Sequence, residues 1–394
     1  MGLRYEWQNH LGDHRDVAPR LGIAYGPGAQ GNKPPKTVLR AGIGVFYERI
    51  SESLALDALR RDGIHQQQFV VDSPDFYPLV PTAAQLAASQ QPQAIRELYA
   101  GNRAPQLAQT ALAAERQLPK NIVATITYLH THGAHELRSR NTNAPLPGSG
   151  LLPYGGVSAL YLYESSGRFN QDQLIGSVTA RVNAKLTFNG SYTLNNARSD
   201  TDGAGTFPAD SYNLGPEYGR AAFSIRNRVQ FNGSWSTRWG LRVSPFLTAA
   251  SGRPFNITIG RDINGDTLFT DRPAIATDLT RPSVVRTAYG AFDLSPLPGQ
   301  TILPRNFAVG PGQISCNLRL SKTITLSKPE NGKPKEDPKE LVFSVNARNF
   351  LNHPNMATPV GNLSSSLFGE SVALAGGGGI VGVRRIDLQV RFNF

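Results

Sequence analysis

One cysteine, Cys316, stands alone in 394 residues, so no intrachain disulfide can staple this chain. No run approaches the ~18 consecutive apolar residues of a spanning helix, which excludes a helical membrane protein. A strand-built membrane protein is not excluded, because its apolar residues take alternate positions and leave mean hydropathy low. Residues 1–20 lack the basic-then-apolar pattern of a secretory leader. The expectation is a C-terminal portion of a longer exported protein, or a mis-assigned start. No Gly-x-Ser-x-Gly elbow occurs and none of the seven histidines sits in a catalytic motif, so nothing points to an enzyme. The net charge of +11 would suggest nucleic acid, but the basic residues are dispersed singly along strand-like segments. Nucleic acid is therefore not expected as a partner.

What is present is a period-two pattern. At the C-terminus Ile386, Leu388, Val390, Phe392 and Phe394 alternate with Arg385, Asp387, Gln389, Arg391 and Asn393. Side chains alternate faces along a strand, so one face is apolar and the other polar. About ten residues is also the length that crosses a bilayer at the usual barrel tilt. The pattern recurs around Val182–Leu194, Val229–Trp235, Cys316–Leu326 and Leu341–Ala347. Further strands are expected at 20–25, 37–47, 122–129, 157–163, 174–180 and 241–250. These runs exceed the ~5–6 residues of ordinary globular strands, and their polar faces carry Arg, Asn, Gln and Lys, which suit a wet lumen. A soluble β-sandwich also alternates and remains the alternative, as does a smaller passive porin.

Connections fall into two sizes. Short ones are expected at 118–121 and 238–240, long ones at 51–105, 195–222, 252–312, 327–339 and 351–383. The stretches 328–339 and 376–379 read as mobile loop. Segments 83–100 and 106–118 are rich in Ala, Gln, Leu and Glu, and propensity favours helix in both. Trp235, Trp239, Tyr192, Tyr163, Tyr128 and Phe46 are expected to form an interfacial aromatic girdle.

Two clusters could hold a metal. Asp262, Asn264, Asp266 and Asp271 carry oxygens at near-alternate positions, as a calcium loop does, but Thr267 stands where its Gly belongs and no Glu closes the loop at its twelfth position. An Asx-rich turn is the plainer account. His130 and His132 would share a strand face, with His135 close by; no acidic or cysteine cluster matches them, and a strand-to-loop exit explains them as well. No other cofactor is implied.

Several segments together resemble the barrel of TonB-dependent outer-membrane receptors of the Oar-like group. They include Ala18-Pro19-Arg20-Leu21-Gly22, Leu39-Arg40-Ala41-Gly42-Ile43-Gly44 and Glu115-Arg116-Gln117-Leu118-Pro119. Others are Glu164-Ser165-Ser166-Gly167-Arg168, Ser251-Gly252-Arg253-Pro254-Phe255 and Asp271-Arg272-Pro273. Asn346-Ala347-Arg348-Asn349-Phe350 and the terminal Phe394 complete them. The resemblance implies an all-β, antiparallel transmembrane barrel in the outer membrane, 22-stranded with a plugged lumen, of which this chain supplies about 12 to 14 strands. It implies that Phe394 signals to the barrel-assembly machinery. It also implies that a TonB complex acts only through an N-terminal plug and TonB box not found in these 394 residues, behind a carboxypeptidase-regulatory-like domain. Finally it favours a strand over 109–116, against propensity.

Overall fold

The computed structural model describes residues 1–9, 11–28, 34–66, 71, 75–76, 78–86, 94–156, 159–297, 299–327, 339–377 and 380–394. Its body is one sheet in which twelve strands follow one another as a meander and two short strands attach off that path. The twelve are β1 (Gly2–Glu6), β2 (Asp16–Tyr25), β3 (Thr37–Tyr47), β4 (Gln106–Leu118), β5 (Ile122–Asn141) and β6 (Leu160–Asn183). They continue as β7 (Leu186–Ser199), β8 (Asn227–Ser236), β9 (Leu241–Ala250), β10 (Gln313–Thr325), β11 (Glu340–Arg348) and β12 (Arg385–Asn393). Every consecutive pair is antiparallel. Among the described residues β1 and β12 each pair on one side only, so the sheet is an open arc of wall.

Register partners lie on the same face, so the alternation of each strand adds up to rows across the wall. One row runs Leu388–Val345–Leu320–Val243–Trp235–Leu186. Another runs Leu194–Leu174–Tyr128–Leu112–Ala41–Ile23. On the opposite face Gln389, Ser344, Ser321 and Arg242 make a polar row. The apolar rows are uncovered: Leu388 is 80% exposed, Ile23 62% and Trp235 53%. Among the described residues no second sheet packs on them, which removes the sandwich alternative. A contiguous apolar face this large needs a nonaqueous neighbour, and lipid is the one that fits a face of strand-length height.

The connections sort by end. At one end lie the short turns 119–121, 184–185 and 237–240, together with 26–36 and 326–339. At the other lie 7–15, 48–105, 142–159, 200–226, 251–312 and 349–384. The stretch 327–339, expected as a long loop, thus belongs to the short-turn end, and 328–338 fall outside the described residues.

Several expectations change. Segment 106–118 is the strand β4, bonded along both edges to β3 and β5; those backbone pairings override its helical propensity. Segment 83–100 is helical only at Ala83–Leu86, while Ile95–Leu98 is a strand running parallel to the start of β6; residues 87–93 are outside the described residues. The separate strands 157–163 and 174–180 are one strand of 24 residues, β6, because β5 is long enough to pair with nearly all of it; residues 157–158 are not described. Helix α1 (Glu52–Arg60) was not foreseen in the first long loop, although Ser51 caps it and Ala55 and Ala58 bury its inner side. Gly376–Gly377 pairs with Ile380–Val381; residues 378–379 are not described.

The girdle is split. Trp235, Trp239, Tyr128 and Tyr192 are exposed near the two ends of the apolar band. Tyr163 instead is buried, and its hydroxyl donates to Asp57 at 2.7 Å. Phe46 lies on the polar face under the Arg20 guanidinium, 4.4 Å from the ring centre.

If the apolar face meets lipid, Phe231→Arg near the middle of β8 costs about 2–4 kcal/mol of folding free energy in lipid vesicles. Gln230→Arg, one residue along on the polar face, costs far less. Equilibrium urea titration checks both, and equal costs would refute the assignment of faces.

Candidate functional site

The largest apolar core lies in the loops, not in the sheet. Phe255, Ile257, Phe292, Leu303 and Ala308 are buried together, with Tyr289, Phe307, Leu363 and Phe368 packed around them. All come from loops 251–312 and 349–384. Fully burying each such side chain is worth roughly 1.5–3 kcal/mol, enough to give loops of this length a fixed shape.

A charged knot ties this core to the neighbouring loop. Glu217, 1% exposed, receives Arg272 Nη1 at 3.0 Å and Arg305 Nη2 at 3.2 Å. Arg305 Nη1 also donates to Asp202 at 2.7 Å, and Asn306 Nδ2 to the Arg220 carbonyl at 2.7 Å. Burial alone would push the Glu217 carboxyl up, but the two guanidiniums more than reverse this and hold it below its usual range. Removing one partner of such a buried pair leaves an uncompensated charge, at a cost of roughly 3–5 kcal/mol. The approach is close enough that a Cβ on Gly219 would lie 2.2 Å from the Arg305 carbonyl oxygen, so glycine is required there.

The expected calcium-like residues meet in one loop of this cap. The Asp262 carboxylate accepts from the amides of Gly265 at 2.7 Å and Thr267 at 2.8 Å. Asp266 accepts from Leu268 at 2.8 Å and from Asn264 Nδ2 at 3.2 Å, and Asp271 from Ile263 at 3.0 Å. The loop docks onto the wall through Asn141 Nδ2, which donates to the Asp266 carbonyl at 3.0 Å. In these positions the oxygens close the loop on its own backbone. Among the described residues no group of three or more His, Cys, Asp and Glu is placed to hold a metal ion.

His130 and His132 share a face as expected. His130 Nδ1 is 2.8 Å from Asp172, and His132 Nδ1 is 2.7 Å from Asn170. His135 turns away at φ 60° and lines a separate hollow with Asp13, Asp16 and Tyr47. Phe394 follows β12 at the short-turn end, 93% exposed, its ring stacked on Phe392 at 5.5 Å.

At the long-loop end, the polar face of the wall opens a cavity of about 570 Å³. Gln109, Thr131 and Gln171 reach it from β4, β5 and β6, and Thr201, Asp202 and Arg253 from the loops. Its walls offer groups of both charge signs beside the apolar surface of Leu107, Phe169 and Phe223, which suits a solute with polar and apolar parts. Sequence reasoning did not find this cavity or the Glu217 knot. The partners of Glu217 lie 55 and 88 residues away, and no local pattern marks such a meeting.

Burial pushes the Asp266 and Asp271 carboxyls up to about 6, and the charges of Asp262 and Asp210 add to this. An acid raised in the folded state stabilises it most below its unfolded value of about 3.9, and that contribution is lost as pH rises through about 6. Amide protection at Ile263 and Leu268, corrected for intrinsic exchange, is therefore expected to fall between pH ~4 and ~6. Asp266→Asn with Asp271→Asn flattens that fall. Protection that increases with pH would contradict the assignment.

The family model described as outer membrane beta barrel domain matches residues 7–386. Among solved structures the chain is similar to the outer-membrane transporter YddB of Escherichia coli, with TM-score 0.54 and 12% identity over 99% of this chain and 41% of that one. It also matches the Pseudomonas aeruginosa receptor FpvA in complex with a pyoverdine and iron, with TM-score 0.49 and 8% identity over 97% and 33%. The P. aeruginosa ferric enterobactin receptor matches with TM-score 0.48 and 12% identity over 96% and 40%. This chain thus spans well under half the length of these proteins. No curated protein matches it by sequence. With a family model covering nearly its whole length and a wall whose outer face is built for lipid, the chain belongs to the outer membrane β-barrel domain family and resides in the outer membrane, with a fold similar to part of the outer-membrane transporter YddB.

Proposed function

We propose that the chain is the C-terminal portion of the wall of a TonB-dependent receptor, and that its cavity receives a solute with polar and apolar parts from outside the cell. The observation that carries this is the cavity's position. It lies on the polar face, at the end where all the long structured loops gather, and long loops are extracellular in bacterial outer-membrane barrels. Energy coupling is assigned to a plug that contacts TonB, acting on the solute held at this wall. The wall itself contributes binding and shape, with no catalytic step.

Uptake by intact cells expressing the full gene product tests this, using a panel of ferric chelates, cobalamin and oligosaccharides. Thr131→Trp and Gln171→Trp fill the cavity, and each is expected to abolish uptake of the solute that the wild type imports. A protonophore is expected to abolish it too. Uptake that survives the protonophore and depends only on solute size would establish a passive pore instead.

Phe394 is proposed as the assembly signal, supported by its exposed, aromatic, terminal position beyond β12. Phe394→Ser is expected to lower the heat-modifiable, membrane-inserted fraction; unchanged insertion would remove that role.

A further inference from the structure

The lipid-facing side of the wall carries a second feature, just beyond its apolar band at the long-loop end. The last apolar row there is Leu112–Tyr128–Leu174–Leu194. Two residues further along each strand comes Thr110–His130–Asp172–Asn196. Two further still, the register aligns His132, Asn170, Arg198 and Arg220 across four neighbouring strands. From Leu194 to Arg198 is about 13 Å along the strand, or about 10 Å in height at the usual tilt. That is the headgroup level of the outer leaflet.

The charges in this patch are one-sided. Arg198 and Arg220 are exposed and directly opposite each other, an arrangement that is destabilising when nothing bridges the two cations. Among the described residues neither has a carboxylate partner; Arg220 is steadied by donating to the Phe307 carbonyl. Arg168, in register with Ala134 one row above, adds a third guanidinium whose side chain is 75% exposed. Its neighbour Asp200 is buried and engaged closely by Arg138 at 2.8 Å, and Arg168 itself reaches that carboxylate only at 3.9 Å. The exposed carboxylate nearby, Asp172, is occupied by the Tyr128 hydroxyl at 2.7 Å and by His130. Below the patch, small residues open a groove of about 490 Å³ in the apolar face, floored by Ala41 and Ala114 and walled by Leu112, Ile126, Tyr128 and Leu174. An apolar groove and, above it, a row of exposed guanidiniums at headgroup height together match the two ends of one lipid molecule.

We propose that Arg198, Arg220 and Arg168 bind the phosphate-bearing headgroup of an outer-leaflet glycolipid whose acyl chain lies in the Ala41–Ala114 groove. Guanidiniums match phosphate oxygens in fork geometry, and a bridging phosphate removes the repulsion between Arg198 and Arg220. His132 and Asn170 supply neighbouring polar groups for the sugar.

The test uses the purified chain in detergent, with bisphosphorylated lipid A, the same lipid dephosphorylated, and inorganic phosphate as three separate probes, read by native mass spectrometry. Arg198→Ala with Arg220→Ala is expected to weaken bisphosphorylated lipid A binding at least ~10-fold, because charge-assisted bonds are lost from both sides of the anion. Arg198→Lys with Arg220→Lys retains part of it. Arg228→Ala, on the polar face, leaves it unchanged. Heat-modifiable mobility confirms that each variant is folded. Dephosphorylated lipid A is expected to bind wild type no better than the double-alanine variant does. Equal lipid A binding by wild type and the double-alanine variant would overturn the proposal. So would inorganic phosphate binding as tightly as the lipid, which would mark a free-anion site.

Discussion

Lateral backbone pairing is the constraint on which the rest depends. In hydrocarbon an unpaired N–H or C=O costs several kcal/mol, which favours bonding along both edges, as the ten strands β2 to β11 are bonded. That requirement fixes the meander, because antiparallel neighbours joined by short turns are the simplest way to pair each strand twice. It also leaves the two faces of the sheet to face different media. Within the bilayer span the sheet's apolar side chains therefore lie exposed on one face of the isolated chain.

Most of this was legible because alternation is written locally. The terminal strand shows its lipid face in ten residues, and β3 and β9 match their expected bounds of 37–47 and 241–250. Propensity failed at 106–118, where Ala, Gln and Glu describe a preference that pairing with β3 and β5 overrules. Strand lengths were underread for a related reason. Beyond the bilayer both faces of β5 and β6 are wet or covered by loops, so polarity no longer alternates and the pattern ends before the strand does. Tyr163 and Phe46 have aromatic composition but not girdle position, since a partner elsewhere in the fold claims each one.

The candidate site was far less legible. The capping core joins Phe255 and Phe292 to Phe368, and the Glu217 knot joins residues of three chain segments; neither leaves a periodic trace. The Asp262–Asp271 loop shows the opposite case. Its residues were singled out for oxygen spacing, and they do converge, yet their carboxylates are spent on the loop's own amides. Residue types set what chemistry is available, and the backbone hydrogen-bond ledger decides how much is left for a ligand.

The length of β6 carries a consequence for encounter with solutes. Of its 24 residues, about ten cross the bilayer, and roughly a dozen stand clear of it. At ~3.3 Å per residue that stretch raises the rim well over 20 Å above the hydrocarbon even when tilted. The Debye length in physiological salt is about 8 Å. A solute arriving at the rim is therefore screened from the anionic lipid surface, and the field that first steers it is the protein's own.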